Sequence, residues 1–287
     1  MFNSSNKIPA WVLLSLAANA VLILTVIVLL ARGDGFSSGP LGAGNGASNS
    51  QAAASEETAS EETASEKTQK PKKMLGPRHQ WTYEQWVAQL GREAKAAAEN
   101  KPERLTILAG DSITLWFPSE LLPPQRSWLN QGISGETSGG LLSRLSLFEE
   151  TSPETIFVMI GINDLLRGEE PETVLENSRK IVSTLRWVHP EAQIVLQSIL
   201  PHSAEGATWD RRDRLLSIPN ELIREINLDL EAIALVEGAY FLNLNPLLSD
   251  PQGKLRLDLT TDGLHLNRQG YLVWRGAIEL FSQLELN

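Results

Sequence analysis

Beyond residue 100 the chain switches repeatedly between two hydrophobic patterns. Short apolar runs of strand length end at Ala109 (RLTILA), Ile133 (SWLNQGI), Ile160 (TIFVMI), Ile199 (QIVLQSI) and Leu244 (AYFLNL), and helical patterns separate them. After Pro171 the 3.6-residue period places Val174, Leu175, Ser178, Ile181, Val182, Leu185 and Val188 on one face. After Asn267 it predicts a second apolar face of Leu272, Val273, Gly276, Ala277, Leu280 and Phe281. An earlier helix is expected over TYEQWVAQLGREAKAAAEN, opened by Thr82 and Gln85 in capping-box spacing. Strands alternating with helices imply a parallel sheet covered on both faces. The expected fold class is α/β: a three-layer α/β/α domain with a mostly parallel, flavodoxin-like central sheet, spanning residues 77–287.

The first 76 residues follow other rules. Ala10 to Ala31 carry no charge, and at about 1.5 Å per residue they span roughly the 30 Å of bilayer hydrocarbon. The run ends in Leu30-Ala31-Arg32 and not in an Ala-x-Ala-like cleavage site, which favours an uncleaved transmembrane anchor over a signal peptide. Residues 1–9 form its flank. Lys7 lies on that side, whereas Arg32 is offset by Asp34 on the other, so the balance of charge puts the rest of the chain outside the cytoplasm. Residues 32–76 are rich in Gly, Ser, Ala and Glu and contain Ala-Ser-Glu-Glu-Thr repeats from Ala54 and Ala59. Such a stretch buries too little apolar surface to offset its ordering entropy, so it reads as a low-complexity, disordered tether. Matches to the G-x-S-x-G elbow at Gly35 to Gly39 and to a dinucleotide fingerprint at Gly42 to Ala47 fall inside it, without the strand and helix either needs.

Composition narrows the chemistry. The net charge is -10, against a phosphate-tracking nucleic-acid binder. The absence of cysteine excludes disulfides, thiolate metal sites and cysteine nucleophiles. His79, His189, His202 and His265 are dispersed, so neither a metal nor another cofactor is expected. His189, before Pro190, reads as a helix-end cation.

Candidate chemistry sits after the strands. Gly110-Asp111-Ser112 follows the first, Gly132-Ile-Ser-Gly135-Glu-Thr the second and Gly161-Ile162-Asn163-Asp164 the third. Each alone is explained by a helix cap or a turn. In a parallel sheet, however, the strands' carboxyl ends share the edge where α/β proteins bind ligands. Asp262 and His265 lie three residues apart before the last helix, a spacing that lets a carboxylate hold one imidazole nitrogen while the other faces a nucleophile.

The blocks GDS (110–112), ISGET (133–137), GIND (161–164) and DGLHLN (262–267), in this order, resemble those of the SGNH hydrolase, or GDSL lipase/esterase, family. The resemblance covers about residues 100–287. It implies Ser112 as nucleophile, His265 as general base and then acid, and Asp262 as its orienting carboxylate. It also implies an oxyanion hole made by the Ser112 and Gly135 N–H groups and the Asn163 amide. The first block reads GDSIT where the family's name suggests GDSL, so the residue after the serine is no guide to substrate. Trp116, Phe117, Arg167 and His202 are candidate pocket residues, while Asn220, Asn227 and Asn267 read as helix-terminal or turn residues.

The leading expectation is a membrane-anchored serine esterase acting on lipid-like or small acyl esters. An O-acyltransferase with a sugar acceptor would use the same residues, because the two differ in how well the pocket excludes water. A catalytically silent tethered binding module is the third reading. Oligomeric state is not legible in the sequence.

Overall fold

A computed structural model describes residues 81–286; the expected 1–9 flank, 10–31 anchor and 32–76 tether lie outside these residues. Among the described residues no helix is long and apolar enough to cross a membrane.

Helix α1 (Tyr83–Asn100) opens on the expected capping box: the Gln85 N–H donates to Thr82 Oγ1, and the Thr82 N–H donates to Gln85 Oε1. Five strands follow: β1 (Leu105–Gly110), β2 (Ser127–Gly132), β3 (Thr155–Met159), β4 (Gln193–Gln197) and β5 (Tyr240–Leu242). All pair in parallel in the order β2-β1-β3-β4-β5, the flavodoxin-like arrangement, which reverses direction between β1 and β3.

Period-two alternation divides the core. Ile107, Ala109, Ile156 and Val158 join one apolar cluster, with Ala94 of α1 and the buried faces of α5 (Pro171–Val188) and α7 (Asn220–Val236). Leu108, Phe157 and Met159 point the other way, against Tyr271, Trp274 and Ile278 of α9 (Arg268–Leu284). Helices on both sides therefore bury both faces of the sheet, which is why β1 is buried at every position.

The α5 face agrees with the sequence pattern: Val174, Ser178, Ile181, Val182 and Leu185 are buried. In α9 the buried stripe is instead Gly270, Tyr271, Trp274, Ala277, Ile278 and Phe281, and Leu272 and Gly276 are exposed. The two rings decide this rotation. Trp274 is fully buried and donates from Nε1 to Gln197 Oε1 at 2.7 Å, while the Tyr271 hydroxyl donates to the Ile113 carbonyl at 2.8 Å. His189 does cap α5, but it is buried against Phe148, and burial pushes its pKa down; it packs as a neutral ring and not as a helix-end cation. Asn227 lies inside α7, where its amide pairs with the Ile199 backbone N–H and carbonyl, closing the end of β4.

Candidate active site

The carboxyl ends of β1, β2 and β3 each release the chain into a short helix: α2 (Ser112–Leu115), α3 (Ser138–Ser143) and α4 (Ile162–Arg167). Asp111 caps α2 by accepting the Ile113 N–H at 2.9 Å, which leaves Ser112 in the first helical turn, where N–H groups have no intrahelical partner. Burial pushes the Asp111 carboxyl up to about 7, against the opposing pull of the Ile113 hydrogen bond and of His265 nearby.

Ser112, His265 and Asp262 meet across the molecule. Ser112 Oγ lies 3.1 Å from His265 Nε2, and His265 Nδ1 lies 2.8 Å from Asp262 Oδ2. The other carboxylate oxygen, Asp262 Oδ1, accepts the backbone N–H groups of Leu264 and His265 at 3.0 and 2.8 Å. The three-residue spacing thus lets one carboxylate hold both the ring and the loop that carries it. Burial raises the Asp262 pKa, but the hydrogen bonds and charge of His265 and the Leu264 N–H outweigh it, leaving the carboxyl below its ordinary value.

The second and third blocks are tied to each other. Gly135 has a φ of +75°, a conformation that favours glycine, and no atom would obstruct a Cβ there; backbone conformation is the whole constraint. Its carbonyl accepts from Arg167 at 2.7 Å, and the Glu136 carbonyl accepts Asn163 Nδ2 at 3.0 Å. Asp164 accepts both the N–H and the hydroxyl of Ser138, and burial raises its pKa despite those bonds. Beneath the loop, Arg144 and Glu136 form an ion pair of 2.7 Å with both side chains only 3% exposed. Arg144 also donates to the carbonyls of Gly110 and Gln131, at the ends of β1 and β2.

These elements enclose a pocket of about 170 Å³. Ser112, Gly135, Asn163 and His265 face it together, with Ile113, Ser134, Ile162, Leu166 and Leu264 as further walls and Arg167 at one side. The opposite wall is the segment after β4, contributing Trp209, Arg211 and Arg214. The sequence reading missed these three; the run Arg211-Arg212-Asp213-Arg214, dense in cations for an acidic chain, was the available signal.

Of the other pocket candidates, Arg167 lines the cavity and the rest do not. Phe117 is buried against Tyr271 and Trp274, with ring centroids 5.1 and 4.9 Å away. Trp116 packs against the same cluster. His202 is turned inward: one ring nitrogen bonds the Ile218 carbonyl at 2.7 Å, the other accepts the Ala204 N–H at 3.0 Å, and burial depresses its pKa. Asn220 braces its backbone from α7, and Asn267 caps α9.

The sequence profile of the GDSL-like lipase/acylhydrolase family matches residues 108–273, more than half of the 287-residue chain. The chain belongs to this family. The chain is similar to an arylesterase of Vibrio mimicus, with 29% identity over 109 residues, 32% of this chain and 52% of that protein. The chain is also 30% identical over 188 residues to an N-acylneuraminate cytidylyltransferase of Streptococcus agalactiae, covering 62% of this chain and 39% of that protein. The chain thus spans about half, or less, of the length of these curated relatives. Among solved structures, a GDSL-like lipase from Bacteroides thetaiotaomicron shares the fold, with a TM-score of 0.54, 21% identity, and 69% of this chain and 98% of that chain covered.

Proposed function

We propose that this chain is a membrane-anchored serine esterase for short acyl esters, working through an acyl-enzyme on Ser112. The observation that carries this is the continuous relay from Ser112 Oγ through His265 to Asp262, at 3.1 and 2.8 Å, opening onto the pocket that Gly135 and Asn163 line. In this reading His265 Nε2 takes the Ser112 proton as Oγ attacks the ester carbonyl, and Asp262 stabilises the resulting imidazolium. The oxyanion accepts hydrogen bonds from the Ser112 and Gly135 N–H groups and from Asn163 Nδ2. His265 then protonates the departing alcohol, and water repeats the sequence in reverse. A pocket of about 170 Å³ is smaller than the roughly 300–1,000 Å³ typical of sites for drug-sized ligands, which favours a short acyl group over a long chain.

A fluorophosphonate probe tests the assignment, because only a serine activated by a neighbouring base reacts quickly. Labelling is expected at Ser112 alone, and Ser112→Ala and His265→Ala should each abolish most hydrolysis, with the double variant little worse than either. Labelling elsewhere, or additive losses, would refute the relay. The anchor proposal rests on the uncharged run from Ala10 to Ala31. It expects full-length protein to stay with membranes through high-salt and carbonate washes and the catalytic domain to be reachable from outside the cytoplasm; release by salt would overturn it.

A further inference from the structure

Three guanidinium groups, from Arg167, Arg211 and Arg214, line the mouth of the pocket that holds Ser112, and all three residues are exposed. None takes part in a salt bridge among the described residues. Elsewhere Arg104, Arg179, Arg224, Arg256, Arg268 and Arg275 each sit against a carboxylate, whereas the scattered Arg92, Arg186 and Arg212 donate to uncharged oxygens. Among the described residues the side chains of these three arginines make two hydrogen bonds, from Arg167 to the Gly135 carbonyl at 2.7 Å and from Arg214 to the Leu166 carbonyl at 3.4 Å. The chain carries a net charge of -10, so this cluster runs against the molecule's overall sign. Like charges gathered around one opening repel, and the arrangement gains most when an anion enters between them.

The cluster is also fixed relative to the chemistry. The N–H groups of Thr208 and Trp209 both donate to the Asp262 carbonyl, at 2.8 and 3.0 Å, and Ser203 N–H donates to the Gly263 carbonyl at 2.8 Å. Gly263 has a φ of +91°, and a Cβ there would run into Ala207. The segment leading into Arg211 and Arg214 is therefore registered against the loop of Asp262 and His265, and Arg167 is held to the loop of Gly135.

We infer that the substrate is an ester whose alcohol part carries an oxyanion, a carboxylate or a phosphate, received by Arg211 and Arg214 with Arg167 beside them. Arginine suits this task because its planar fork meets either group with two parallel hydrogen bonds. The anion belongs to the alcohol because Ser112 is 6% exposed at the pocket floor while the arginines stand at its mouth. The acyl group stays on the serine, and the alcohol leaves past the guanidinium groups. This inference rests on Ser112 being the nucleophile.

The test uses the full chain and three matched acetyl esters: 4-acetoxybenzoate, 4-acetoxyphenyl phosphate and the neutral 4-acetoxybenzamide. The readout is the ratio of kcat/KM for each charged ester to that for the neutral one. At low salt at least one charged ester should be preferred, and Arg211→Gln with Arg214→Gln should lower that ratio by roughly ten- to a hundredfold, as expected for charge-assisted hydrogen bonds. Raising the salt should lower the wild-type ratio too, and Arg211→Lys with Arg214→Lys should restore part of it. Whichever of carboxylate and phosphate is preferred names the oxyanion. Equal handling of charged and neutral esters by wild type, or a ratio unmoved in the double Gln variant, would overturn the inference while Ser112-dependent hydrolysis of the neutral ester persists. Hydrolysis that survives Ser112→Ala would instead overturn the nucleophile assignment and the inference with it.

Discussion

Replacing Asn163 separates an oxyanion donor from a turn-shaping residue. One N–H of its amide is spent on the Glu136 carbonyl at 3.0 Å, and the residue lines the pocket beside Ser112 and Gly135. If the second N–H donates to the developing oxyanion, Asn163→Ala should lower kcat by about 10² to 10³, or about 2.7–4 kcal/mol of transition-state stabilisation. KM should change far less, since the donor matters mainly once charge has moved onto the carbonyl oxygen. The stability cost is that of one net hydrogen bond, about 1 kcal/mol, or a Tm lower by about 2–4 °C for a domain of this size. Asn163→Asp sharpens the contrast: it keeps the shape but sets a carboxylate against both the Glu136 carbonyl and the incoming oxyanion. Steady-state kinetics on a short acyl ester, paired with thermal unfolding of both variants, decides the matter. Near-normal turnover in Asn163→Asp would refute the donor role and leave only the backbone N–H groups of Ser112 and Gly135.

Asp111 gives a pH signature of stability. With its pKa raised from 3.8 to about 7 in the fold, its contribution is fully present below pH 4 and is lost as pH rises to about 7, a change of about 4 kcal/mol. Asp111→Asn keeps an acceptor for the Ile113 N–H and removes the titration, so the stability of the variant relative to wild type should rise between pH 4 and 7 and level off above; urea titrations showing a pH-independent difference would contradict this. Arg144→Met strands the buried Glu136 carboxylate and should cost about 3–5 kcal/mol by urea unfolding, with part recovered when Glu136→Gln is added. A loss below about 1 kcal/mol would show that the pair does not brace the loop.

Much of the fold was legible because its signals are local. The apolar runs fall on the five strands within a residue or two, and the Thr82 capping box forms as its spacing requires. The motif residues converge because a parallel sheet brings every strand's carboxyl end to one edge, which also explains why Ser112 and His265 meet although they lie 153 positions apart in the chain. What stayed hidden depends on tertiary partners. The α9 stripe is rotated by its aromatic residues, since Tyr271 and Trp274 each gain a buried hydrogen-bond partner from another element. Phe117 and His202 look like pocket residues by position, but packing turns both into the core. Arg211 and Arg214 carry no periodic signal at all, because their place depends on backbone hydrogen bonds to Asp262, far along the chain.

That seam between residues 203–209 and the Asp262 loop bears on how such an enzyme can change over generations. This pocket wall and the loop holding the imidazole share a backbone acceptor, so an insertion or deletion between Ser203 and Trp209 would disturb both at once. New preferences are most cheaply acquired by exchanging side chains at positions 210–216, whose backbone makes no bond to that loop. The pocket wall is replaceable one residue at a time, but not as a module.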